Sequence, residues 1–226
     1  MREGHISKAF DGELAALHIR VLEMGGLVLD QVREATRAYV DWDAHAAQRV
    51  IDREQQVSSY ATTIYDDQVG LIARRNPVAS DLRAILSLAK ISAQLDRAGA
   101  EARKIARTVL QQGGRPERGT STDARHMALL AYSLLRQSLE AVDSIDAEVA
   151  DEVVHRDQDL DSEYAAGLRR LLTRAMENPA RIDTTVEAAF VLKALERIGD
   201  HARNVSQQVA SMAAQPVLRT SKLDPA

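Results

Sequence analysis

The sequence predicts an all-α fold of six long helices forming two pseudo-symmetric three-helix bundles. Three observations predict it. Apolar residues recur at spacings of three and four almost throughout, the period of a helix with one buried face. The 226 residues contain only 5 Pro and 11 Gly, so breaks are few and elements long. The second half also repeats the first. The seam Leu95, Ala98, Ala102, Ile105, Val109 returns one hundred positions later as Leu195, Ile198, Ala202, Val205, Val209, with Arg97, Gly99 and Arg103 matched by Arg197, Gly199 and Arg203. Aromatics are 4% of the chain against 45% hydrophobic residues, so the core is built from Leu, Val, Ile and Ala, which suits close helix packing better than a β-sandwich.

The first helix is expected from Ser7 to Val40, with the seam Phe10, Leu14, Leu17, Val21, Met24, Val28, Val32, Ala35. Asp43 is the expected N-cap of the second, which runs to Arg75. Asn76-Pro77 breaks the chain, and Pro77 suits the first turn of the third helix, which ends near Gly113-Gly114. The stretch 113–120 (GGRPERGT) reads as a linker. Ser121, Thr122 or Asp123 would cap the fourth helix, and the fifth is expected over Ala147–Glu177. Asn178-Pro179 breaks the chain as Asn76-Pro77 did, and the sixth helix runs to Ala213. Two three-helix repeats are thus expected, at 5–112 and 121–213, with 214–226 a disordered tail.

Net charge is −4, which does not suit a nucleic-acid partner. There is no Cys, so thiol chemistry and thiolate metal sites are excluded, and the composition fits the cytoplasm. The N-terminus carries no signal-peptide core. The longest apolar stretch, Met127 to Leu135, falls far short of the ~20 residues of a membrane span.

Glu196, Asp200 and Asn204 lie at i, i+4 and i+8, on one stripe of the sixth helix and outside its apolar seam. Two carboxylates at that spacing repel, and a cation would relieve them. Their oxygens suit a hard or borderline metal, while Arg197 and Arg203 offer the plainer partners. Gly99 and Gly199 interrupt helix interiors and read as packing residues. Glu54 and Asp157 fall within the seams of the second helices, where a carboxylate wants an Arg or Lys partner or a shared metal. Glu152 and His155 form a single E-x-x-H, too few for a di-iron bundle. No nucleotide-binding glycine motif and no G-x-S-x-G elbow is present.

Leu195 to Asn204 (LERIGDHARN), Asn76 to Ile85 (NPVASDLRAI) and the opening from His5 through Met24-Gly25-Gly26 resemble the PhoU family, in the family's order and spacing and over residues 5–212. The resemblance implies two three-helix bundles related by a pseudo-twofold axis. It also implies a non-enzymatic negative regulator of the phosphate-starvation response. Such a regulator couples the ATPase of the Pst phosphate transporter to the sensor kinase PhoR and restrains uptake. It works in the cytoplasm at membrane complexes, as a homodimer.

Some members of the family bind metal through one E-x-x-x-D stripe per repeat. Here the first repeat has Asp96 and Ala100, and Glu101 lies one step round the helix. A divalent or iron-type metal is therefore expected on Glu196, Asp200 and Asn204, with Asp96 the remnant of the other site. Arg97, Arg197 and Arg203 are the expected partner contacts. The alternatives are a PhoU-like paralogue serving another transporter or kinase, and a metal-binding helical bundle.

Overall fold

A computed structural model describes residues 3–77, 79–111, 116 and 118–214, with side chains from Lys8 onward except Ala79. Six helices follow one another: α1 (Glu3–Asp41), α2 (Ala44–Arg75), α3 (Ala79–Leu110), α4 (Arg118–Ser144), α5 (Ala147–Glu177) and α6 (Ile182–Ala213), the last entered through a short 3₁₀ turn, Pro179–Arg181. The all-α, six-helix expectation holds.

The two halves end their helices with the same chemistry. Asp43 accepts from the N–H groups of His45 and Ala46, and Asp146 from those of Glu148 and Val149, so each capping carboxylate satisfies two of the four orphan donors at a helix start. The residue before each cap turns left-handed, Trp42 at φ 58° and Ile145 at φ 51°, which reverses the chain between antiparallel helices. Asn76 closes α2 at φ 47° with its N–H on the Ile72 carbonyl. Asparagine tolerates this region better than most residues.

Two boundaries differ from expectation. Pro77 stands two residues ahead of α3 instead of inside its first turn. α4 begins at Arg118, so Gly119 and the buried Thr120 belong to the helix and Ser121, Thr122 and Asp123 do not cap it. Asp123 instead takes Arg170 at 3.0 Å and Arg174 at 3.2 Å from α5. The Arg-Gly-Thr stretch looked like linker because glycine and a hydroxyl residue usually mark loops. The tail expected from 214 onward lies outside the described residues after Ala214, as do 112–115 and 117.

Within the first repeat α1, α2 and α3 pack against one another, as α4, α5 and α6 do within the second. The repeats meet through α1 against α4 and α3 against α6. One continuous core results, with Val21, Met24, Val28, Ile91, Leu95, Leu135, Leu195 and Ile198 all buried. Glycine makes the closest approaches possible. A Cβ at Gly25 would run into Leu139 of α4, and one at Gly199 into Leu160 of α5. At Gly99 it would stand 3.0 Å from Gln31 Oε1. These are packing glycines, as expected. Among the described residues no helix is long and apolar enough to cross a membrane.

Candidate functional site

α3 and α6 run antiparallel, and their shared face carries the polar residues singled out in the sequence. Gln94 of α3 bonds His201 at 2.8 Å and receives Asn204 Nδ2 at 3.4 Å, while Glu101, two turns further along, takes Arg197 at 3.2 Å. Partner numbers fall along α6 as they rise along α3, which fixes the antiparallel register.

The stripe Glu196, Asp200, Asn204 stands at the edge of this face. Glu196 is buried although it stands outside the apolar seam; Asp200 and Asn204 are half-buried. Each carboxylate has a cation of this chain. Lys193 holds Glu196 at 2.6 Å and lies 5.2 Å from the Tyr164 ring centre. Burial pulls the Lys193 ammonium down, but the Glu196 hydrogen bond and charge outweigh it, and the net shift is upward. Arg203 forks between Asp200 at 2.7 Å and Asp157 of α5 at 2.5 Å.

Asp157 is 2% exposed, and burial pushes its carboxyl up to about 6 against the pull of Arg203, with Asp161 and Asp200 adding like charge. The first repeat has the simpler version: Arg103 meets Glu54 at 3.0 Å, and Ala100 leaves nothing to fork towards. Asp96 is separate from the stripe, half-buried, and accepts from Ser58 of α2 at 3.3 Å.

This arrangement does not fit a metal ion. Glu196 Oε1 is engaged by Lys193 and Asp200 Oδ1 by Arg203, and an ammonium or guanidinium within 2.7 Å would stand against a cation in the same place, although Glu196 Oε2 is buried with no partner among the described residues. Among the described residues no three or more His, Asp or Glu side chains are grouped to hold a metal. Asp157 and Glu54 have arginine partners, the plainer of the two readings of buried seam carboxylates.

Of the three arginines singled out, Arg97 and Arg197 are exposed, and Arg203 is half-buried between its two aspartates. Sequence reasoning noted Glu101 only as displaced from the first repeat's stripe and gave it no role. It is 5% exposed; Oε1 takes Lys104 at 2.8 Å and Arg197 at 3.2 Å, and Oε2 has no partner among the described residues. The sequence contained a signal for it: Glu101 and Lys104 are spaced as an i, i+3 ion pair. His201, one hundred positions on, is half-buried. Burial lowers its pKa, with Arg97 and Arg197 pushing the same way and Glu101 and Asp200 opposing, so the ring is a neutral hydrogen-bonding group at the seam. The site contains fixed charges on a rigid two-helix face, a surface suited to recognition.

Comparison with known proteins gives the same picture of the fold and adds a family. The PhoU domain model matches residues 21–109 and again 124–209. The phosphate-specific transport system accessory protein PhoU homolog of Pseudomonas putida is 40% identical over 207 residues, covering 91% of this chain and 80% of that protein. The phosphate-specific transport system accessory protein PhoU of Escherichia coli is 32% identical, covering 90% of this chain and 84% of that protein. The crystal structure of PhoU from Pseudomonas aeruginosa superposes with a TM-score of 0.86 at 38% identity, covering 90% of this chain and 98% of that one. The phosphate transport system regulatory protein PhoU from Streptococcus pneumoniae gives 0.83 at 25% identity, covering 91% and 97%. With both repeats matched and four fifths or more of each of these relatives covered, the chain belongs to the PhoU family.

Proposed function

We propose that this chain is a non-enzymatic negative regulator of the phosphate-starvation response, an adaptor between the ATPase subunit of a Pst-type phosphate transporter and a PhoR-type sensor kinase. The observation that carries the reading is the PhoU pattern over both repeats, in a chain whose relatives are named as accessory proteins of phosphate transport. The protein works in the cytoplasm, peripheral to membrane complexes, as a homodimer, and restrains phosphate uptake.

No covalent step is needed. An adaptor that binds one conformation of the kinase or transporter better than the other shifts that equilibrium by its differential affinity, and equal affinity shifts nothing. The helical face supplies what such discrimination requires. Arg97 and Arg197 project from a rigid seam, and Arg197 is held in place by a buried carboxylate. Arg203 acts from behind, holding the Asp157–Asp200 pair and so the α5–α6 packing. The Glu196, Asp200, Asn204 stripe is read as structural support in its ion-paired form, with no step routed through a metal.

The test is binding of the purified protein to the kinase cytoplasmic domain and to the transporter ATPase, wild type beside Arg97→Ala/Arg197→Ala. Binding by the wild type with weaker binding by the double variant is the expected result. Absence of binding to both partners would remove the adaptor reading.

A further inference from the structure

One face of α6 changes character along its length. Ile182, Val186 and Phe190 fall at i, i+4 and i+8 and are 56%, 48% and 69% exposed, unusual for large apolar side chains at helical spacing. The same stripe continues as Lys193 and Arg197. Beside it lies the C-terminal half of α3, and the two helices enclose an open groove of about 430 Å³ whose walls include Lys104, Arg107, Phe190, Lys193 and Arg197. Four cations line it beside two carboxylates, Glu101 and Glu187, with Glu196 paired to Lys193 from behind, a cationic excess in a chain that is negative overall. Glu101 sits buried at the base of the cluster, holding Lys104 and Arg197 through Oε1. Arg107 is exposed and has no ion-pair partner among the described residues. Burial and the neighbouring Asp183 push the Glu187 carboxyl up.

We propose that this α3–α6 groove, together with the exposed α6 stripe that leads into it at Phe190, is the docking site for an amphipathic helix of a partner protein, apolar on the side that meets Ile182, Val186 and Phe190 and acidic where it meets Arg107, Lys193 and Arg197. Anchors one turn apart are the signature of helix-in-groove recognition, and three of them span about 12 Å, two turns of a bound helix. Charge selects the occupant. A second copy of this chain would bring a cationic cluster against its like, whereas an acidic segment is drawn in and oriented. The groove is also particular to one side of the pseudo-twofold. One hundred positions away, Phe190 is replaced by Lys90, Lys193 by Ala93, Lys104 by Asn204 and Arg107 by Gln207. The mate keeps an exposed Leu86 opposite Val186 and Arg97 opposite Arg197, but it has Lys90 where the aromatic anchor stands and no cation matching Lys104, Arg107 or Lys193. One acidic helix therefore binds per chain, at the second repeat.

The proposal rests on the adaptor reading and names the surface that reading uses. The experiment measures binding of the full chain to the purified transporter ATPase and to the kinase cytoplasmic domain, by biolayer interferometry at several salt concentrations. Wild type is set beside Phe190→Ser, Val186→Ser, Arg107→Glu and the matched control Leu86→Ser, with circular dichroism for fold and sedimentation for self-association. The expected result is a loss of tenfold or more in affinity for one partner with Phe190→Ser or Val186→Ser. Arg107→Glu should give a slower on-rate with weaker salt dependence, and Leu86→Ser should have no effect. Partner binding that is unchanged by all three groove variants overturns the groove and leaves the adaptor standing. A wild-type chain that binds neither partner overturns both. A change in the chain's own sedimentation with Phe190→Ser makes the face a self-contact and overturns the proposal.

Discussion

Arg197 of α6 reaches Glu101 of α3 at 3.2 Å, an ion pair that bridges the two repeats and whose carboxylate is almost wholly buried while its guanidinium is exposed. Lys104 supports the same oxygen from one turn away. The pair is therefore redundant for stability and specific for position.

That redundancy separates two arginines. Arg197→Ala leaves Glu101 with Lys104, and because Arg197 itself is exposed the loss of stability is expected below about 1 kcal/mol. Arg203→Ala strips the buried Asp157 of its cation and is expected to cost about 3 to 5 kcal/mol, the scale of an uncompensated buried charge. Urea unfolding of both variants checks the order. Equal losses would contradict it.

Glycines divide in the same way. Gly199→Ala forces its Cβ into Leu160 and is expected to destabilise by about 1 to 3 kcal/mol, the cost of overpacking. Gly26→Ala, on an exposed face of α1 with nothing within 4 Å, is expected to stabilise by up to about 1 kcal/mol through helix propensity alone. Thermal unfolding gives both signs in one experiment.

Asp157 makes stability depend on pH in a direction opposite to that of most paired carboxylates. Its folded pKa of about 6 lies above the ordinary 3.8, raised by burial, so the folded state binds the extra proton between those values. Stability from this group is complete below about 3.8 and is lost as pH rises through about 6. Relative to Asp157→Asn, in which this group no longer titrates, the wild type should lose about 2 kcal/mol between pH 4 and 7, at about 1.4 kcal/mol per pKa unit. Urea unfolding of the two proteins across that range measures the difference. A flat difference would contradict the assignment.

Metal removal is expected to leave the protein unchanged. Lys193 and Arg203 already supply the positive charge that Glu196, Asp200 and Asp157 need. Chelator treatment followed by thermal unfolding and partner binding should match the untreated protein. Stoichiometric metal by elemental analysis, lost together with several degrees of melting temperature, would contradict this.

Much of the fold was legible because helix ends announce themselves. Asp43 capped α2 as expected, Asn76-Pro77 and Asn178-Pro179 separated the helices, and the seam around Leu95 and Leu195 is buried. The start of α4 was not legible, because Arg118-Gly119-Thr120 has loop composition and only its packing draws it into the helix. In the site, the pairing of Arg203 with Asp200 could be read from spacing along one helix, whereas that of Arg197 with Glu101 could not, since it depends on the register of two helices ninety-six positions apart. Phe190 was missed for a related reason. α6 carries two stripes of apolar residues, and periodicity cannot say which is buried. The packing of α3, α4 and α5 around Leu195 and Ile198 decides it and leaves Ile182, Val186 and Phe190 outside.

The most direct test of the regulatory account is made in the cell. The gene is deleted and a phosphate-starvation promoter is followed in phosphate-rich medium, with the wild-type chain supplied back. The account predicts a promoter that switches on in the deletion strain and is silenced again by the wild-type chain. A promoter that stays silent in the deletion strain would contradict it.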